Sequence, residues 1–334
     1  MTLLPDGWTL AASAFNWTPE VIRAERDAAD IAVSVVADGT ASVIEVELGQ
    51  SLRSFPSPTR EESDTLGRRV RAAGGRVSIV GASIDDWADA ETRRSGDERL
   101  AFLMPQLHTA CALGAEGVRL PIGQAGEPML RRLLPTLHEL ELTLYEEIQG
   151  QQTPDWEAAA LEVIAGLDDP RVRVLVDISM LMPALPVSYL ERIADAGLPS
   201  ALVDRLRDEW RAPETAGAVV AALRDGSVPP DVQTLFMDLI VRFGRSDASV
   251  LRPILPLVGA FHLKFWDLDD ADGRVSGPIR DLGALLAGTG FTGTLCSEWG
   301  GHEWLDADAT RTTSAHLDLA ARALAEGAAV AAAV

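Results

Sequence analysis

Short apolar or alternating runs along the chain repeatedly give way to longer stretches whose apolar residues recur at helical spacing. This is the alternation of a parallel sheet with crossover helices. The strand-like runs are 9–15, 43–49, 76–83, 117–122, 142–148, 172–179, 260–268 and 293–300. Helical periodicity covers 18–29, 60–73, 98–113, 129–141, 155–167, 278–288 and 310–326. Thr18-Pro19 opens one of these helices, and Gly74-Gly75, Gly114 and Gly290 close others. About eight such units in 334 residues predict a single α/β domain, a (β/α)8 TIM barrel, over a doubly wound sheet.

One interval breaks the rhythm. Residues 180–258 separate the sixth and seventh strands where one helix would suffice. The interval carries Leu190, Ile193, Leu198, Leu202, Leu206, Trp210, Val219, Leu223, Leu235, Met237, Ile240 and Val241 at helical spacing, broken at Leu185-Pro186 and Pro229-Pro230. We expect a helical insertion that serves as extra scaffold, or as a lid or partner surface with an apolar patch left exposed.

Barrel chemistry sits at the carboxyl ends of strands, and period two says which side chains point inward there. In Glu141-Leu-Thr-Leu-Tyr-Glu-Glu147, Leu142 and Leu144 share the helix-facing side, so Thr143, Tyr145 and Glu147 face the barrel and Glu146 faces away. Val172, Val174 and Val176 turn outward and leave Asp177 inward; Phe261, Leu263 and Phe265 turn outward and leave His262, Lys264 and Trp266 inward. Leu295 faces the helices, with Thr294, Cys296 and Glu298 inside. Glu147, Asp177, His262 and Glu298 converging on one mouth are hard oxygen donors plus one imidazole, a set suited to an octahedral divalent ion, Mn²⁺ foremost, then Mg²⁺ or Co²⁺. Without a cation, carboxylates gathered in one interior repel each other.

Composition narrows the partners. The chain is 47% apolar, with 29 basic against 50 acidic residues, and a net charge of −21 repels phosphate backbones and anionic lipid. We expect no nucleic-acid or membrane partner. The run 327–334 is short of a membrane span, and 1–6 lacks a basic leader, so a cytoplasmic location is expected. Cys111 and Cys296 have no zinc-type spacing and are expected to be buried small residues. Lys264 is the sole lysine among the 29 basic residues, and a compact inward ammonium suits the polarising of a sugar carbonyl or an enolate oxygen. Trp266, Trp299 and Trp304 are candidates for stacking on a sugar or an aromatic ring, with the core as the fate of at least one. His108, His138 and His316 fall in helices and are expected to be structural or at the surface.

At the four strand ends the sequence resembles the xylose-isomerase-like TIM barrels, whose Glu, Asp, His, Glu ligands come from strands five to eight. It is more specifically similar to the large subunit of the bacterial C-glycoside deglycosidases, which cleave the carbon–carbon bond of 3-oxo-C-glycosides. Gln50-Ser-Leu-Arg-Ser-Phe-Pro56, Val77-Ser-Ile-Val-Gly81 with Asp85, His262-Leu-Lys-Phe-Trp266 and Ser297-Glu-Trp-Gly-Gly-His302 carry that likeness. The resemblance implies ligands Glu147, Asp177, His262 and Glu298, and a hetero-oligomer with a small β-rich subunit. The chain departs from the pattern at Glu147-Ile148-Gln149, where the family commonly has Glu-Ile-His and uses that histidine for proton transfer. Glutamine takes no proton at neutral pH, which makes His302 the candidate replacement.

These features lead us to expect a metal-dependent lyase acting on a 3-oxo-C-glycoside, by proton abstraction at C2 and loss of the aglycone from C1. Two rivals are a free-standing sugar isomerase or epimerase with the same metal site, and a non-catalytic binding or scaffold subunit. An endonuclease is disfavoured by five histidines and the acidic balance.

Overall fold

A computed structural model describes residues 4–332, so parts of the opening segment 1–6 and of the run 327–334 lie outside the described residues. Eight parallel strands, β1 (Trp8–Ser13), β2 (Val43–Glu47), β3 (Arg76–Gly81), β4 (Gly117–Pro121), β5 (Thr143–Ile148), β6 (Val172–Asp177), β7 (Val258–Phe265) and β8 (Gly293–Trp299), pair in sequence order. β8 closes on β1, and the result is a (β/α)8 TIM barrel. The β-branched runs Val-Ile-Glu-Val-Glu in β2 and Val-Arg-Val-Leu-Val-Asp in β6 suit a strand buried on both faces.

Outward side chains of the strands, among them Leu144, Val174, Phe261, Leu263 and Leu295, pack with the surrounding helices into the main core. Inward, two residues before Asp177 and His262, Leu175 and Ala260 pack with Ile79 and Tyr145, filling the barrel beneath its mouth. Helices begin where the sequence supplies caps. Ser95 and Glu98 form a reciprocal capping box at the start of Gly96–Leu113, and Gly114 ends that helix at φ 77°. The first helical region differs from expectation. It is split into Thr18–Ile22 and Ala28–Ala37, because Asp27 accepts a hydrogen bond from the Ala29 backbone and starts a new helix there.

Between β6 and β7 the chain runs through the helices Val187–Asp195, Ser200–Asp208, Pro213–Asp225 and Gln233–Val241. Their apolar faces make a second core around Tyr189, Trp210, Phe236 and Phe243. The expected apolar surplus is therefore spent inside the insertion. Trp210 is buried, donates to the Gly244 carbonyl at 3.0 Å and lies under Arg245, and only Met237 and Val241 of the insertion's large apolar side chains are exposed. The insertion returns to the barrel at Gly244, where a Cβ would stand 2.3 Å from Met180 Cα. The Gln151 side chain of the loop after β5 donates to the Leu239 and Phe243 carbonyls. These contacts set the last helix of the insertion beside the mouth. Cys296 is buried in the barrel as expected, but Cys111 is exposed, since its side of Gly96–Leu113 faces solvent.

Candidate metal centre

β5, β6 and β7 carry Glu147, Asp177 and His262, all buried, and one ligand atom from each falls within 4.8 Å of the others. Neighbouring strands bring them together, with Asp177 paired in register to His262. His262 Nδ1 stands 2.9 Å from Glu147 Oε1 and 3.0 Å from Glu298 Oε2, the end of β8. Glu146 points the other way, accepting from the Gly123 backbone at 2.7 Å.

These donors fit a divalent ion on three counts. Nδ1 is buried close to two carboxylates yet has no well-aligned hydrogen-bond partner among the described residues. Adjacent ligands of an octahedral ion with bonds of about 2.1 Å stand about 3.0 Å apart, the spacing these atoms already have. Third, Glu45, Glu47, Glu147, Asp177 and Glu298 bring five carboxylates to the mouth, against the permanent cations Arg119 and Lys264. Two added charges would offset most of that excess.

The electrostatics register the crowding. Burial pushes Asp177 up to about 6 against the pull of Lys264. Burial acts the same way on Glu298, but His262 and Lys264 outweigh it and hold that carboxyl well below its ordinary value. Arg119 and His262 likewise hold Glu147 low. The carboxylates around His262 raise its pKa well above the usual imidazole value although burial opposes them.

Several partners escaped the sequence reading. Glu45 of β2 lies 2.9 Å from His262 Nε2. Arg119 of β4 reaches Glu147 at 2.6 Å with one terminal nitrogen and Glu47 of β2 with the other. Each was accessible to the alternation argument: Val43-Ile-Glu-Val-Glu47 and Gly117-Val-Arg-Leu-Pro121 place Glu45, Glu47 and Arg119 at every second position.

Arg119, Lys264 and Glu298 open onto a cleft of about 840 Å³, whose wall also includes Glu47, Gln149 and Phe15. Lys264 Nζ donates to Glu298 Oε1 at 2.5 Å and lies 4.9 Å from the centre of the Phe15 ring. Gln149 is exposed on the wall. His302 is packed between Phe15 and Trp299, at ring-centre distances of 4.8 and 5.6 Å, and is not among the side chains lining the cleft. Burial and Lys264 lower it to about 4. The three tryptophans singled out are also absent from this wall. Trp266 and Trp299 are buried, and Trp304 is engaged with Ser188 and Tyr189. The aromatic residues on the wall are instead Phe15, Phe55 and Trp156. His108 is exposed, His138 pairs with Asp169, and His316 is buried against Phe265.

No protein-family model matches the chain. Among solved structures, D-psicose 3-epimerase from Clostridium cellulolyticum H10 superimposes with a TM-score of 0.57 at 13% identity, covering 95% of this chain and 99% of that one. The 3-keto-D-glucoside 4-epimerase of E. coli gives 0.51 at 13% identity, covering 94% and 98%. The fold is thus that of the xylose isomerase-like sugar isomerase and epimerase barrels. In sequence, the chain is similar over most of its length to C-glycoside deglycosidase alpha subunits. It is 26% identical over 308 residues to one from Arthrobacter globiformis, covering 90% of this chain and 87% of the relative. It is 28% identical over 278 residues to the 3'-dehydrocarminate deglycosidase alpha subunit of a Microbacterium species, covering 78% of each.

Proposed function

We propose that the chain is the large subunit of a metal-dependent carbon–carbon lyase that removes the aglycone from 3-oxo-C-glycosides. The observation that carries this reading is the buried Glu147–Asp177–His262 cluster with Glu298 beside it, opening on a sugar-sized cleft in a chain similar to deglycosidase alpha subunits. Glu147, Asp177, His262 and Glu298 would hold the ion, Mn²⁺ best matching the donor set, with Mg²⁺ or Co²⁺ as substitutes. When bound, it supplies Lewis acidity toward the hydroxyl and carbonyl oxygens of the sugar.

The chain's own groups do the rest. The C2 hydrogen is acidic because the neighbouring carbonyl takes up the charge left by its removal. Lys264, fixed at the cleft by Glu298, presents an ammonium to that charge. Trp156, 81% exposed on the wall, offers a face for an aromatic aglycone. A small β-rich second subunit completes the enzyme. The alpha-subunit names of the relatives support this, as do the exposed Trp156 and Val241 on the rim.

The test is an assay of the chain with and without a small β-rich partner subunit, against 3-oxo-C-glycosides and plain ketoses. Aglycone release that needs both the partner and a divalent ion is expected. Turnover of ketoses by the chain alone would instead make it a free-standing isomerase or epimerase. Metal binding without any turnover would make it a binding subunit.

A further inference from the structure

Removing a proton from a sugar carbon requires a base with a free electron pair facing the cleft, and the wall offers few. Its titratable side chains are Glu47, Arg119, Arg242, Lys264 and Glu298. The arginines stay protonated. Lys264 is held as a cation by Glu298, and Glu298 is engaged by Lys264 and by the ligand cluster. Glu47 remains.

Its setting is built for exposure of one oxygen. Arg119 takes Oε1, while Oε2 has no protein donor among the described residues. The carboxylate lies across Gly81 of β3, where a Cβ would come within 1.9 Å of Oε2, so a bare glycine is what allows it to lie there. Register places Glu47 beside Gly81 and Gly81 beside Arg119, so three strands set this row.

We propose that Glu47 is the catalytic base of this site, its free Oε2 taking the proton from C2 of the substrate. This rests on the lyase reading above. The C2–H bond breaks, and its electron pair becomes the C1–C2 double bond as the C1–aryl bond breaks. The pair from that bond stays on the aryl carbon, which receives the proton back from Glu47. The carboxylate is regenerated, and no oxidant or reductant enters. Burial raises the Glu47 carboxyl above its ordinary value. Arg119 on β4 and His262 on β7 oppose that rise, and Glu298 on β8 and Glu147 on β5 add to it. A base so lifted is better matched to a weak carbon acid.

The experiment uses the full chain with its partner subunit, a phenolic 3-oxo-C-glucoside for aglycone release, and methyl 3-oxo-glucoside in D2O for exchange at C2 followed by NMR. Glu47→Gln is expected to lower both rates by ~10²–10⁴, the usual weight of a general base, with metal content unchanged. Glu47→Asp should keep part of the activity and move the acid limb of the pH profile. Gly81→Ala leaves the carboxyl in place chemically but displaces it, and should reproduce the loss. Glu47→Gln within fivefold of wild type overturns the assignment and leaves the lyase reading standing. So does a loss that tracks lost metal and is restored by excess metal, since that makes Glu47 a positioning group for Arg119. A wild-type complex inert to every 3-oxo-sugar overturns the lyase reading itself, and the base with it.

Discussion

Glu45 and His262 meet at 2.9 Å through Nε2, a contact that leaves Nδ1 as the nitrogen facing Glu147 and Glu298. A carboxylate behind a ligating imidazole fixes its tautomer and ring angle and strengthens it as a donor. Glu45 is itself buried, so the pair is rigid. Glu45→Gln should therefore weaken Mn²⁺ binding by ~10- to 100-fold with little change in circular dichroism. Calorimetric titration of the metal-free protein checks this. An unchanged dissociation constant would mean that the imidazole orients itself without Glu45.

Metal binding at the proposed centre should depend on pH through Asp177. Its carboxyl in the metal-free protein titrates near pH 6 because it is buried, and a ligand must lose its proton before it binds. Above pH 6 this carboxyl is already ionised, and the proton an ion must displace is the one that the surrounding carboxylates hold on His262. Below it, each ion bound must also expel the Asp177 proton, so the fall of apparent affinity with pH should steepen by about a further tenfold per pH unit. Metal titrations between pH 7.5 and 4.5 measure the bend. Asp177→Asn should bind weakly and without it.

Much of this centre was legible in the chain because strand parity is strict where one face packs on helices. The outward Val172, Val174, Phe261 and Leu295 leave little choice about where Asp177, His262 and Glu298 point. Parity ends with the strand. Trp266 follows the last residue of β7, and its ring turns into the insertion core beside Phe243 rather than into the barrel. His302 lies beyond β8 in a short turn, where no period constrains it, and packing on Phe15 decides its place. The insertion's helical periodicity was plain from its spaced leucines. That these helices bury one another around Trp210 was not, since periodicity identifies a face without naming what covers it.

His316 should make the fold acid-sensitive. It stacks on Phe265 at 3.7 Å, its Nδ1 is 2.8 Å from Ser297 Oγ, and burial lowers its pKa to about 3. An unfolded histidine titrates near 6.5, so between about pH 6 and 4 the unfolded chain binds a proton that the native one refuses. This contribution to stability is complete above the unfolded value and is lost as pH falls, at roughly 1 kcal/mol per pH unit. Urea unfolding at several pH values measures it. His316→Phe should flatten that part of the slope, at a cost of about 1–3 kcal/mol at neutral pH for the unpaired Ser297 hydroxyl.

Lys264 holds Glu298 and faces the cleft, and these two roles have separable consequences. If the ammonium serves only to anchor Glu298, Lys264→Met frees that carboxylate. Metal affinity then changes, while turnover at saturating metal stays near wild type. If it opposes the charge that develops on the substrate oxygen, metal binding persists and kcat/KM falls by ~10²–10³, as when one oxyanion donor is lost. We expect the second outcome, because the Lys264 side chain is largely enclosed and its ammonium sits over the Phe15 ring at the cleft wall, where charge is poorly screened. Methionine keeps the length and apolar body of the side chain, so packing against Phe15 is largely retained. Steady-state kinetics at saturating Mn²⁺, run beside a metal titration of the same variant, distinguishes the two roles. A loss below about fivefold with full metal would reduce Lys264 to an anchor for Glu298.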